Sequence, residues 1–235
     1  MTRTGVALVV FLLSTPVLAQ PLPPPRGSRV LGGLSFVGGV PTGSFGQVVD
    51  SAVGLDGQLS LTPRGGRFGL RVELAGQIYG SVTTRVPTGE PGGGLADQEI
   101  QNSIGRLAVG PLLVWRRGGL RPYACVTVGA SRFATSTRVL AECDGRCDDD
   151  MWVREISSQT NYSETTFSWS AGGGVLLPLG SHGMVDLGVR YVGNGTVGWL
   201  AEGDVVEDAN GQLQAYPRHT PANLVEITVG YTFGH

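Results

Sequence analysis

The chain has 235 residues, a formal net charge of −2, 15% charged residues and 38 glycines. All 17 basic residues are arginine, yet they are balanced by acids, so the concentrated positive charge that nucleic-acid binding needs is missing. The glycines alternate with apolar residues across most of the chain, which argues against a disordered polymer and for β-structure.

The N-terminus reads as an export signal. Arg3 supplies a positive start, Val6 to Leu13 form an apolar run, and Val17-Leu18-Ala19 places small residues at a cleavage position. This predicts a signal peptide over 1–19, a Pro-rich periplasmic segment over 20–29 and one β-barrel domain over 30–235. No Cys follows the cleavage position, so a lipid anchor is not expected. After the signal no apolar run reaches the ~18 residues of a spanning helix, but a spanning β-strand needs only about 9–11 residues with one apolar face.

Segments of period-two alternation begin near residue 30. Over 30–40, Leu34 and Phe36 oppose Gly33, Ser35 and Gly39. Val53, Leu55, Leu59 and Leu61 share one face, with Asp56, Gln58 and Ser60 on the other. Phe68, Leu70, Val72, Leu74 and Ile78 oppose Arg71, Glu73, Gln77 and Tyr79. Over 103–116, Leu107, Val109, Leu113 and Trp115 oppose Arg106, Ala108 and Gly110, with a bulge expected at Pro111 because proline lacks the N–H that a ladder uses. Residues 120–133 and 165–177 give two more, the latter with Phe167, Trp169 and Val175 outward. Val185, Leu187, Val189 and Tyr191 oppose Asp186 and Arg190, and finally Val225, Ile227, Val229, Tyr231 and Phe233 oppose Glu226, Thr228 and Thr232. No 3.6-residue period fits these runs.

Connections alternate in length. Short turns are expected at 63–66, 117–119 and 180–183, and longer polar loops near 41–50, 80–101, 134–164 and 197–219. Strict alternation of long and short is the habit of an up-and-down outer-membrane barrel with short periplasmic turns. Arg26, Arg29, Arg64, Arg67, Arg116, Arg117 and Arg121 then fall at the periplasmic end, while most acids fall in the outer loops. Trp115, Tyr231 and Phe233 would belt the periplasmic rim, and Phe167 and Trp169 the outer rim.

The stretch Val40-Pro41-Thr42-Gly43-Ser44-Phe45-Gly46, the 55–61 strand, Thr62-Pro63-Arg64 and the 67–79 strand together resemble small OmpA/OmpX-like outer-membrane barrel domains. The closing run from Val225 to Phe233 is similar to the signal that the barrel-assembly machinery reads, with Tyr231 and Phe233 as its aromatic positions; Gly234-His235 follow, where such strands commonly end on the aromatic. The resemblance spans about residues 30–233 and implies an all-β, eight-stranded antiparallel transmembrane barrel.

Eight strands enclose a space that side chains can fill. Asp56, Arg71, Glu73, Arg106, Asp186, Arg190 and Glu226 face inward by alternation, so an interior ion-pair network acting as a plug is expected, with a polar ion or proton path as the alternative. In an exported protein, Cys143 and Cys147 are a disulfide candidate, and Cys125 reads as a packed lumenal thiol. Asp148, Asp149 and Asp150 lack the spacing of a calcium loop, and no metal or cofactor is expected. A lipid-modifying enzyme would need a base such as His219 beside Ser157, Ser158 or Ser163, oriented by Glu164 or Asp204; the three histidines are otherwise poorly placed, and no activity is expected.

The reading that results is a non-enzymatic outer-membrane barrel with a structural or surface-interaction role. Its partners would be outer-membrane lipid and lipopolysaccharide, the assembly machinery during biogenesis, and an extracellular partner at loops 134–164 and 197–219. A small-solute channel or carrier, and more remotely a lipid-modifying enzyme, are the alternatives. A soluble eight-stranded carrier is the rival for the fold, and it would turn the apolar faces inward.

Overall fold

The computed structural model describes residues 28–63, 66–87, 95–115, 119–142, 153–179, 183–199, 205–207, 213–216 and 218–234. Alternation of β-branched and apolar residues with small or polar ones produces long strands. They are β1 (Ser28–Thr42), β2 (Ala52–Pro63), β3 (Phe68–Pro87), β4 (Leu95–Val114), β5 (Arg121–Glu142), β6 (Val153–Leu179) and β7 (Gly183–Asn194). Four short strands follow, β8 (Thr196–Trp199), β9 (Val205–Glu207), β10 (Leu213–Ala215) and β11 (Arg218–Pro221), before the last long one, β12 (Asn223–Gly234).

Eight of these close into an antiparallel barrel in the order β1-β2-β3-β4-β5-β6-β7-β12, each strand paired with its neighbours in sequence and β12 closing on β1. Among the described residues no helix is long and apolar enough to cross a membrane. The polarity of the wall is inverted relative to a soluble barrel. Phe36 is 74% and Phe68 72% exposed, and Leu74, Leu107, Phe167, Ile227 and Phe233 also stand on the outside, while Glu73 and Glu226 are 0% exposed in the lumen. The soluble-carrier arrangement is thereby reversed. Outward Tyr231 and Phe233 lie at the end with the short turns, and Phe167 and Trp169 toward the opposite end.

Two expectations about the wall need correction. The segments 80–101 and 134–164 are mostly strand: β3 runs on to Pro87 and β4 begins at Leu95, while β5 reaches Glu142 and β6 begins at Val153. These polar stretches lack the apolar face, but Thr and Val at alternate positions still favour extended backbone, and pairing with a neighbour already in register carries the ladder onward. The bulge expected at Pro111 is absent. Leu70↔Pro111 keeps register with β3, and Val109↔Val128 and Leu112↔Cys125 keep one register with β5 across it. The register shifts lie higher, at Ile78/Gly80, Thr135/Ser136 and Val139/Leu140.

At the long-strand end, the β1–β2 connection folds back through a 3-10 turn, Phe45–Gln47, after Gly43 turns the chain with φ of 64°. That return buries Phe45 completely in the mouth. Among the described residues β8 and β11 pair with each other, continuing the β7–β12 hairpin outward after a one-residue shift in register between Leu224↔Val192 and Pro221↔Thr196.

Candidate functional site

The lumen is built from the inward half of each strand, and it is layered. Its middle carries charge. Asp56 and Gln58 come from β2, Arg71, Glu73 and Gln77 from β3, Arg106 from β4, Asp186 and Arg190 from β7, and Glu226 from β12, all buried. The seven ionisable residues singled out from the alternation all lie here.

Arg190 is the hub. Its Nε donates to Glu226 Oε2 at 2.5 Å, its Nη1 stands 3.2 Å from Glu73 Oε1, and its Nη2 donates to Asp56 Oδ2. Arg106 holds Glu226 in a bidentate pair, both contacts at 3.1 Å, and Gln77 Nε2 donates to the same carboxylate. Arg71 Nε lies 2.8 Å from Glu73 Oε1, and its guanidinium sits 5.3 Å from the centroid of the Tyr123 ring. Asp186 has no guanidinium partner among the described residues. It accepts from Gln58 Nε2 at 2.6 Å and from the Tyr123 hydroxyl at 2.8 Å. Four carboxylates therefore face three guanidiniums, and the excess is held by neutral donors.

Two apolar layers bracket the charge. Toward the short-turn end, Leu112, Val114, Tyr123, Cys125, Leu176 and Met184 pack together with Leu31. Toward the long-strand end, Phe45, Tyr79, Phe133, Ile104, Val197 and Leu224 form the second cluster. Phe45 meets Tyr79 edge-on at 5.3 Å and Phe133 at 6.4 Å, the geometry aromatic pairs prefer. These seals were not anticipated. Their signal in the sequence is the loss of alternation at strand ends, in Leu112-Leu113-Val114 and Val175-Leu176-Leu177, where both faces are apolar.

Between Arg71, Glu73, Tyr123, Cys125, Arg190 and Thr228 the lumen keeps about 10 Å³ for the centre of a water molecule, room for about one. Cys125 is a buried free thiol there. Cys143 and Cys147 lie outside the described residues, as do residues 1–27, and so does Asp204. No group of three or more metal-ligating side chains occurs among the described residues.

The remaining constellation, His219 with a serine and a carboxylate, does not assemble around Ser163. Glu164 faces the β8–β11 hairpin, accepting from Gly198 N–H at 2.8 Å and from the Tyr162 hydroxyl at 2.5 Å, and His219 adds an attraction to it from across that hairpin. Ser163, the next residue on the strand, points the other way and accepts from Arg132 Nη2 at 3.1 Å. The side chains of Ser157 and Ser158 lie outside the described residues.

No family model matches the chain, and no curated protein matches it. Among solved structures it is similar to Neisserial surface protein A, at 13% identity over 88% of this chain and 96% of that one, with a TM-score of 0.47. It is also similar to Ail, the attachment invasion locus protein of Yersinia pestis, solved with the heparin analogue sucrose octasulfate, at 11% identity over 88% and 97% of the two chains and a TM-score of 0.43. A third is the N-terminal β-barrel domain of Pseudomonas aeruginosa OprF, at 12% identity over 87% and 97% of the chains and a TM-score of 0.38.

Proposed function

We propose that this protein is an integral outer-membrane barrel that anchors surface-exposed strands and loops, with a lumen that is plugged rather than conducting. The observation that carries the reading is the inverted wall: an apolar, aromatic-edged outside around a buried charged core. In water that outside would be an aggregation surface far larger than the few hundred Å² that soluble monomers tolerate, whereas hydrocarbon requires it. Closure of the sheet leaves no unpaired edge at membrane depth.

The short turns then face the periplasm and the long hairpins the exterior. Outer-membrane lipid and lipopolysaccharide surround the band, and the assembly machinery reads the strand that ends in Tyr231 and Phe233. The region from 134 to 164 and the region from 197 to 219 supply the surface for an extracellular partner, the first rigidified by a Cys143–Cys147 disulfide. The plug reading is supported by ion pairs that join three guanidiniums to three carboxylates, by neutral donors on the fourth, Asp186, and by an apolar layer on each side of them. A conducting path would have to cross both apolar layers, and that disfavours the channel alternative.

The test combines gel mobility of unheated and boiled samples with membrane fractionation. The expected result is recovery in the outer-membrane fraction and a folded form that resists SDS until heated. Recovery in the soluble periplasmic fraction without a mobility shift overturns the reading. Planar-bilayer recording separately tests the plug, because large steady conductance contradicts it.

A further inference from the structure

We propose that the short-turn end of the barrel carries an arc of arginines that selects anionic phospholipid in the inner leaflet, along one side of the wall. Three arginines mark it among the described residues. Arg29 lies at the start of β1 opposite Thr62 of β2, Arg67 immediately precedes β3, and Arg121 opens β5 opposite Leu176 of β6. Successive members are two strands apart in the wall, so at about 4.8 Å per strand they follow one another at roughly 10 Å along the rim. The backbone between them is tied together to its last residues: the Arg67 carbonyl accepts the Val114 N–H at 2.7 Å, and Trp115 N–H donates to the Pro122 carbonyl at 2.8 Å.

The charge of this arc is unopposed. Arg67 is exposed and Arg29 and Arg121 are half-buried, and none of the three pairs with a carboxylate among the described residues. Arg121 Nη1 donates to Met184 Sδ at 3.2 Å, a weak acceptor that neutralises nothing. The sequence offers no acid either. No Asp or Glu occurs over 57–72, 100–141, 165–185 or 227–235, the stretches that lead into and out of the short turns, while Arg64, Arg116 and Arg117 add charge of the same sign. Asp186, three residues above Gly183, is turned into the lumen and held there by Gln58 and Tyr123. The arc is also one-sided, since β6, β7 and β12 reach the same end at Leu179, Gly183 and Phe233 without an arginine.

Its level decides what it meets. Phe68, Leu70 and Leu120 stand exposed beside it, so these side chains lie in hydrocarbon while the guanidiniums reach the head groups at its edge. A guanidinium pairs bidentately with phosphate oxygens. In a zwitterionic lipid that phosphate already carries its own cation, which an acid-free row of arginines repels. A head group with net negative charge, such as phosphatidylglycerol, presents the phosphate without it, and basic residues at a membrane surface favour such lipids. The side of the barrel from β1 to β5 is therefore lined by anionic lipid, and the side from β6 to β12 is not.

This inference rests on the outer-membrane reading of the wall, and one experiment separates the two. In the full chain, Trp152, Trp169 and Trp199 are replaced by Phe, so that Trp115 beside the arc is the sole reporter. It is refolded into phosphatidylcholine vesicles that hold a minor fraction of phosphatidylglycerol. Bromine on the acyl chains of one lipid or the other then quenches Trp115 according to how much of that lipid lies next to it. At low salt phosphatidylglycerol is expected to be enriched there about tenfold, equivalent to about 1.4 kcal/mol, and the enrichment is expected to fall as salt is raised. Arg29→Gln/Arg67→Gln/Arg121→Gln is expected to lower it to about twofold or less, with the heat-dependent gel shift unchanged. Quenching by both lipids in proportion to their amounts overturns the arc and leaves the membrane reading standing. Enrichment undiminished in the triple variant also overturns it, since these arginines would then not be its source. Quenching by neither lipid overturns the membrane reading and the arc with it.

Discussion

Arg190→Met is the substitution that interrogates the charge layer most directly. Arg190 touches three carboxylates, but they do not depend on it equally. Glu226 keeps its bidentate contact with Arg106, and Glu73 keeps Arg71 at 2.8 Å. Asp56 keeps no ion-pair contact among the described residues, and its second oxygen has no hydrogen-bond partner among them. The expected cost is therefore that of stranding one buried carboxylate, about 3–5 kcal/mol. Adding Asp56→Asn removes the stranded charge and is expected to recover about half of that loss, a coupling that only contacting residues show. The assay is urea-dependent unfolding in lipid vesicles, followed by the mobility of the unheated form. If Arg190→Met costs under about 1 kcal/mol, the layer is hydrated and screened, and the dry-plug argument fails.

Two further expectations concern other parts of the chain. Phe45→Ala should destabilise the barrel by about 3–5 kcal/mol through the cavity it leaves, and should not create conductance in a planar bilayer because the inner apolar cluster stays shut. Cys143 and Cys147 should take up alkylating reagent only after reduction, read as a mass increase for two thiols, with immediate alkylation of both as the contrary result.

Much of the fold was legible because a spanning strand writes its two faces into alternate positions. Asp56, Arg71, Glu73, Arg106, Asp186, Arg190 and Glu226 each sat on the polar side of such a run, and each is in the lumen. Strand ends were less legible, for a physical reason. Above the apolar band both faces meet water, so Thr83, Thr84 and Gln98 carry no alternation, and only pairing with a neighbour keeps them extended. The contact between Glu164 and Gly198 was invisible in the same way, because the two residues are 34 apart and linked by one hydrogen bond that no period or motif announces. Pro111 shows the opposite error, a rule about proline applied where the wall tolerates a missing N–H without changing register.

The charge layer also bears on how the barrel closes on itself. Alternation alone leaves register ambiguous, since sliding a strand by two residues keeps every apolar side chain outside. Glu226 and Arg190 face each other directly across the β12–β7 pair, and a two-residue slip would separate them. Arg106 on β4 reaches the same Glu226, and Arg190 reaches Asp56 on β2 and Glu73 on β3, so the contacts run across the lumen between strands that are not neighbours in the wall. A shifted register strands at least one of these charges at the several-kcal/mol cost of an unpaired buried ion. Hydrophobic residues in the same places would fill the lumen equally well but would accept several registers. The double substitution Arg106→Leu/Glu226→Leu tests this: the barrel should still fold and resist SDS, with slower assembly and more than one folded band, whereas a single sharp band at the original rate would show that register is set elsewhere.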